Sequence, residues 1–183
     1  MAHIQLDETL PGIRSLFAFR PQSALALTGL AETLLRGPSS LTPAERELIA
    51  TYVSSRNECS FCYSSHRAAA AHNAGGNYEW VDSCVAGESS ADASPRMKAL
   101  LAVAEKVRQG GRSVMASDIQ RARTAGASDV EIHDAVLIAA AFCMFNRYVD
   151  GLAAPTPPAD SGAYDQVGRA LAHSGYQAAV NGR

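Results

Sequence analysis

Three capping boxes punctuate this chain, and they constrain its fold more than any other feature. Thr42-Pro43-Ala44-Glu45, Ser117-Asp118-Ile119-Gln120 and Ser128-Asp129-Val130-Glu131 each place a hydroxyl three residues before a Glu or Gln. At that spacing the hydroxyl accepts from the N3 amide while the N3 side chain reaches back to the cap, so each marks a helix start. Stops are marked as clearly, by Gly37-Pro38, Gly75-Gly76, Gly110-Gly111 and Gly126. Glycine ends helices because it takes the left-handed conformation without steric cost. The segments between starts and stops carry apolar residues at helical spacing, such as Met97, Leu100, Leu101, Ala104 and Val107. Period-two alternation is scarce, and no Asn-Gly or Asp-Gly turn sits between strand-like runs. The predicted fold class is all-α.

Helices are predicted over 21–35, 43–55, 59–74 and 95–109, with a helical turn over 79–85. A short helix follows the Ser117 box and ends at Gly126. A long one runs from the Ser128 box to about residue 149, apolar around most of its circumference, which marks a helix central to a core or a subunit interface. Residues 1–20 read as an extended segment, 21–152 as the helical domain, and 153–183 as a Pro-rich linker and tail with one weak helix over 167–172.

At 183 residues the chain is long enough to bury a core without metal or disulfide support. A net charge of -2 with both signs scattered gives no footprint for nucleic acid or an anionic membrane. No apolar run reaches the roughly 18 residues of a membrane span. The polar, acidic start does not resemble a signal peptide. The expected setting is therefore cytoplasmic and reducing, where a Cys-x-x-Cys pair points to redox chemistry or metal binding before a static staple.

The chemistry concentrates in Glu47-x11-Cys59-Ser60-Phe61-Cys62-x3-His66. On a helix starting near Cys59, the two cysteines share a face and can reach one another. The helix N-terminus favours a thiolate there. His66 lies one turn beyond Cys62 on the same face, where an imidazole can take the thiol proton. Glu47 lies on the preceding helix. If the two helices pair antiparallel, Glu47 falls nearer His66 than Cys59, directly or through water, and orients the ring.

Glu-x11-Cys-x-x-Cys-x3-His, with the fuller run LTPAERELIATYVSSRNECSFCYSSH, resembles the alkylhydroperoxidase D-like proteins of the carboxymuconolactone decarboxylase superfamily, in their peroxidase-related branch. LLRGPSSLTPAERE and AAAFCMFNRYVDGL extend the resemblance over about 21–152. It implies an all-α fold with the Cys-x-x-Cys pair at the N-terminus of a central helix, in a homo-oligomer, often a trimer or hexamer. It implies thiol-dependent hydroperoxide reduction, with Cys62 attacking the peroxide and Cys59 resolving the sulfenic acid into a disulfide. Glu47 and His66 map onto the proton relay. The implied partners are a hydroperoxide and a dithiol donor protein or small thiol, with no metal, haem or flavin. One departure stands out: well-characterised members carry a second histidine before the second cysteine, and Phe61 occupies that position here.

Other readings of the same residues differ in chemistry. Cys59, Cys62 and His66 with Glu47 or His72 could supply four zinc ligands, although structural zinc usually takes two separated ligand pairs. A redox sensor or a disulfide oxidoreductase would share the dithiol. A lactone decarboxylase of the same superfamily would not need it. Cys84 and Cys143 read as small buried apolar residues, His3, His72 and His133 as surface or cap residues, and Asn146 and Arg147 as structural.

Overall fold

The chain, described here over residues 1–177 of a computed structural model, is built from α-helices, with no strand among the described residues. The predicted all-α class is what the structure shows. After α1 (Ile13–Phe19), α2 (Pro21–Arg36) ends at Gly37. The guanidinium of buried Arg46 donates to the carbonyls of Leu34 and Gly37 at 3.2 and 2.8 Å, satisfying that helix end. α3 (Pro43–Arg56) starts at the Thr42 box and α4 (Ser60–Asn73) at Cys59. They pack as an antiparallel hairpin and form the most extensive helix pair of the molecule. Four consecutive alanines, Ala68 to Ala71, are buried on α4 and let its neighbours approach closely.

α5 (Tyr78–Val85), α6 (Pro95–Gln109) and α7 (Ala116–Thr124) wrap one side of this hairpin. α8 (Asp129–Gly151) runs through the core against α3 and α6, burying Ile138, Phe142 and Phe145. The Thr42 and Ser128 boxes both form as the sequence predicts. Arg96 ties them together, one guanidinium nitrogen on Glu45 and another on Glu131.

Three expectations change. The segment 1–20 is not wholly extended, because 13–19 winds into α1 and buries Leu16 over the dithiol. The helix assigned to Ser117 starts earlier, at Ala116: the Asp118 carboxylate accepts from the Met115 amide at 2.9 Å and so sets the cap at Met115. By length and composition α8 reaches what a membrane span requires, contrary to the sequence expectation. Half of its most apolar window is buried against the protein's own helices, which accounts for its apolar character.

The tail crosses back over the molecule. Its helix α9 (Ala163–Ser174) is twice the predicted length and lies on α4. A Cβ at Gly168 would sit 2.4 Å from the Cβ of Ala68, so the backbones meet directly there. The N-terminal segment pairs with the linker below it, through His3 N–H to Leu152 O at 3.0 Å and Gly12 N–H to Pro155 O at 2.6 Å.

Candidate active site

Glu47 is 1 % exposed, in the second turn of α3, where a lone carboxylate would be strongly unfavourable. It has two donors. Its Oε2 faces Nδ1 of His66 at 2.8 Å, and its Oε1 accepts a short hydrogen bond from the hydroxyl of Tyr176. The antiparallel hairpin thus brings Glu47 and His66 together directly. A ring nitrogen facing a carboxylate carries the proton, which leaves Nε2 of His66 as the basic nitrogen. Phe142 packs its ring edge-on against His66, with centroids 4.5 Å apart, and fixes the ring from the α8 side.

Cys59 caps α4 and Cys62 occupies its first turn, both buried and both free thiols. Their protons are unequal. The Cys62 thiol is held below its ordinary value, first by a hydrogen bond from Cys59, then by nearby His66 and a hydrogen bond from Asn146, against the opposing effect of burial. The Cys59 thiol is pushed up by donating that same hydrogen bond and by burial. One proton is therefore retained on Cys59, and Cys62 is the readier thiolate.

The family model described as the carboxymuconolactone decarboxylase family matches residues 21–106, which covers α2 to most of α6 and includes Glu47, both cysteines and His66. Two solved structures match over most of the chain. One is an uncharacterized peroxidase-related protein from Silicibacter sp. TM1040, 28% identical, covering 79% of this chain and 75% of its own, with a TM-score of 0.72. The other is an uncharacterized peroxidase-related protein from Ralstonia eutropha JMP134, described as an alkylhydroperoxidase AhpD core. It is 27% identical over 87% of this chain and 82% of its own, with a TM-score of 0.75. Together these matches support a place for the chain among the alkylhydroperoxidase D-like proteins of the carboxymuconolactone decarboxylase superfamily. No curated protein matches it.

Where well-characterised relatives carry their second histidine, Phe61 is 5 % exposed and packs against Tyr164 and Leu16. This superfamily position here serves the cover over the dithiol instead of proton transfer. Beside Cys62 and His66 lies a chamber of about 90 Å³ with almost wholly apolar walls, among them Phe17, Leu27, Phe61 and Phe145. An apolar cavity of roughly 150 Å³ holds benzene, so this one suits a smaller apolar group or the end of a chain. Ser65 lines it as well, and its buried Oγ has no hydrogen-bond partner among the described residues.

Other sequence candidates fall elsewhere. His72 pairs with Asp165 of α9 at 2.8 Å, away from the dithiol, so it is no fourth ligand beside Cys59. Among the described residues, no group of three or more His, Cys, Asp or Glu side chains is arranged to hold a metal ion. His133 is exposed beside Asp134, Cys84 lies in the main core, and Cys143 sits 3.6 Å from the Asn57 amide. Arg147 turns back to the Cys143 carbonyl at 2.8 Å.

Asn146 behaves differently from its sequence reading. It is buried, donates to Ser54 Oγ at 3.0 Å, accepts from Asn57 at 2.8 Å and reaches the Cys62 sulfur. Asp150, one turn further along α8, reaches Cys59. Asn146 and Asp150 lie within the run AAAFCMFNRYVDGL at i and i+4, a same-face spacing that could have singled them out. Tyr176 and Ser65 left no such signal.

Proposed function

We propose that this protein reduces hydroperoxides with its Cys59–Cys62 dithiol. The observation that carries the reading is the unequal pair of buried thiols, Cys62 below its ordinary value, beside an apolar chamber and a Glu47–His66 pair. Nε2 of His66 takes the Cys62 proton, and Glu47 stabilises the imidazolium that forms. The Cys62 thiolate attacks the terminal oxygen of the hydroperoxide. The O–O bond breaks, two electrons pass from sulfur to the peroxide, and the alkoxide leaves with the proton held on His66. Cys62 is then a sulfenic acid. Cys59 attacks its sulfur, the S–O bond breaks, and the hydroxide leaves as water with the Cys59 proton, closing the disulfide. A dithiol donor, protein or small molecule, returns both thiols by exchange.

Both cysteines lie under the same cover of Leu16, Phe61 and Tyr164, which keeps water from the sulfenic acid while Cys59 reaches it. That burial favours a small peroxide over a folded disulfide protein as oxidant.

Hydroperoxide consumption with a dithiol reductant tests the reading, comparing wild type with Cys62→Ser and Cys59→Ser. Turnover is expected to vanish in Cys62→Ser, and Cys59→Ser should accumulate a trappable sulfenic acid on Cys62. A wild type whose thiols do not react with hydroperoxides would overturn the proposal.

A further inference from the structure

The relay on α3 and α4 has a third member that the family match, ending at residue 106, does not include. The geometry points to Tyr176 as a positioning residue of the proton relay: its hydroxyl, the Glu47 carboxylate and the His66 imidazole form one hydrogen-bonded chain beside Cys62. This rests on the peroxidase reading of the site and adds the tail to its machinery.

The hydroxyl proton is donated to Oε1 of Glu47, the oxygen that His66 does not use. The same hydroxyl oxygen lies 3.3 Å from His66 Nδ1, and the two rings are parallel within 8° with centroids 6.0 Å apart. Both carboxylate oxygens thus have a fixed partner, which stops Glu47 rotating away from the imidazole. The imidazolium formed when His66 takes the Cys62 proton then meets a prepared counter-charge.

The chain around Tyr176 is shaped to seat it. α9 ends at Gly175, whose φ of 78° lies in the left-handed region, and a Cβ there would fall 2.6 Å from Glu32 Oε2. That carboxylate oxygen accepts from the Tyr176 amide at 2.7 Å. Arg36 donates to the last carbonyls of α9, at 3.1 Å to Leu171 and 2.6 Å to Ala172. A tyrosine needed only to fill space would not require its hydroxyl on a committed carboxylate. The charged and titratable groups around this chain are Arg14 of α1, Glu32 and Arg36 of α2, Arg46 of α3, and Cys59 and Asp150 beside Cys62. All of them stay in place in Tyr176→Phe.

The test reads the pH dependence of Cys62 alkylation, by peptide mass spectrometry, in wild type and Tyr176→Phe, alongside peroxide kinetics. The midpoint for Cys62 should move to higher pH by about one unit. kcat/KM at neutral pH should fall about tenfold, carried by kcat with KM little changed, as expected for loss of one hydrogen bond to a charged group. An unmoved midpoint with unchanged kinetics would show Tyr176 to be packing alone and overturn the inference. A wild type without turnover, whose Cys62 midpoint still moves in Tyr176→Phe, would overturn the peroxidase reading and keep the relay. If Tyr176→Phe fails to fold, Glu32→Ala keeps the phenol and removes the acceptor for its amide. A smaller shift of the same sign is then expected, and no shift in the folded variant overturns the inference.

Discussion

The α3–α4 hairpin and the C-terminal tail deliver groups to the same cluster, yet opposite physics holds them there. The hairpin is local: a capping box starts α3, the chain turns at 57–58, and Cys59 caps α4, so Glu47 meets His66 across only 19 residues. The tail is held by contacts between residues far apart in sequence. Gly168 lies on Ala68, Arg36 caps α9, and Tyr176 reaches Glu47 from 129 residues away. The hairpin therefore sets which groups meet beside the dithiol, while the tail closes around them.

Breaking the hairpin's contribution should have the largest effect. Glu47→Gln keeps the shape and removes the charge, so the imidazolium loses its counter-charge. Peroxide turnover is expected to fall by about 10²–10⁴-fold, the range typical of general acid–base groups. A loss below tenfold in steady-state kinetics would mean that His66 works without its carboxylate.

Next comes the tail. Gly168→Ala puts a methyl where the Ala68 backbone carbon is 2.5 Å away, so α9 must lift or shift. Overpacking of this kind costs about 1–3 kcal/mol. Chemical denaturation should show that loss, and proteolysis should cut the tail sooner than the hairpin. Equal susceptibility of both regions would mean that hairpin and tail unfold as one unit.

A smaller effect separates the two sulfurs. The hydrogen bond from Cys59 is the largest influence lowering Cys62, so Cys59→Ala should move the Cys62 alkylation midpoint to higher pH. The sign carries over to stability. Cys62, depressed in the folded state, contributes stability that is fully present above the unfolded value of about 8.5 and is lost as pH falls through the folded value. In Cys59→Ala that loss should start at the same unfolded value, be complete at a higher pH and be smaller in total. Titration of stability by denaturant midpoint across that window checks the direction.

The same contrast explains what could be read from the sequence. Caps, stops and helical period are local, so α2, α3, α4, α6 and α8 were legible within a residue or two. The all-α class follows from them, and the family resemblance from Glu-x11-Cys-x-x-Cys-x3-His. Asn146 reads as structural in the sequence, since nothing local says that α8 passes beside Cys62. Tyr176 was illegible. An aromatic residue after a glycine has no periodicity or motif, and only the turn at Gly175 and the Glu32 carboxylate direct its ring inward. The Met115 cap was missed because a Ser in box spacing competed with an Asp one residue later, and the Asp prevailed.

The smallest effect tests whether the hairpin is as self-sufficient as this comparison requires. Thr42 accepts from the Glu45 amide at 3.2 Å, and Glu45 accepts from the Thr42 amide at 2.9 Å. Thr42→Ala removes one of these bonds and should cost about 1 kcal/mol, a drop in Tm of roughly 2–4 °C for a chain of this size. Turnover and the Cys62 midpoint should not move, because Glu47 is fixed beyond the cap by His66 and Tyr176, and Arg96 still anchors Glu45. A cap loss that also lowered turnover would show that the start of α3 aims the carboxylate. The tail would then be closing around a hairpin whose geometry is less settled than its own hydrogen bonds make it.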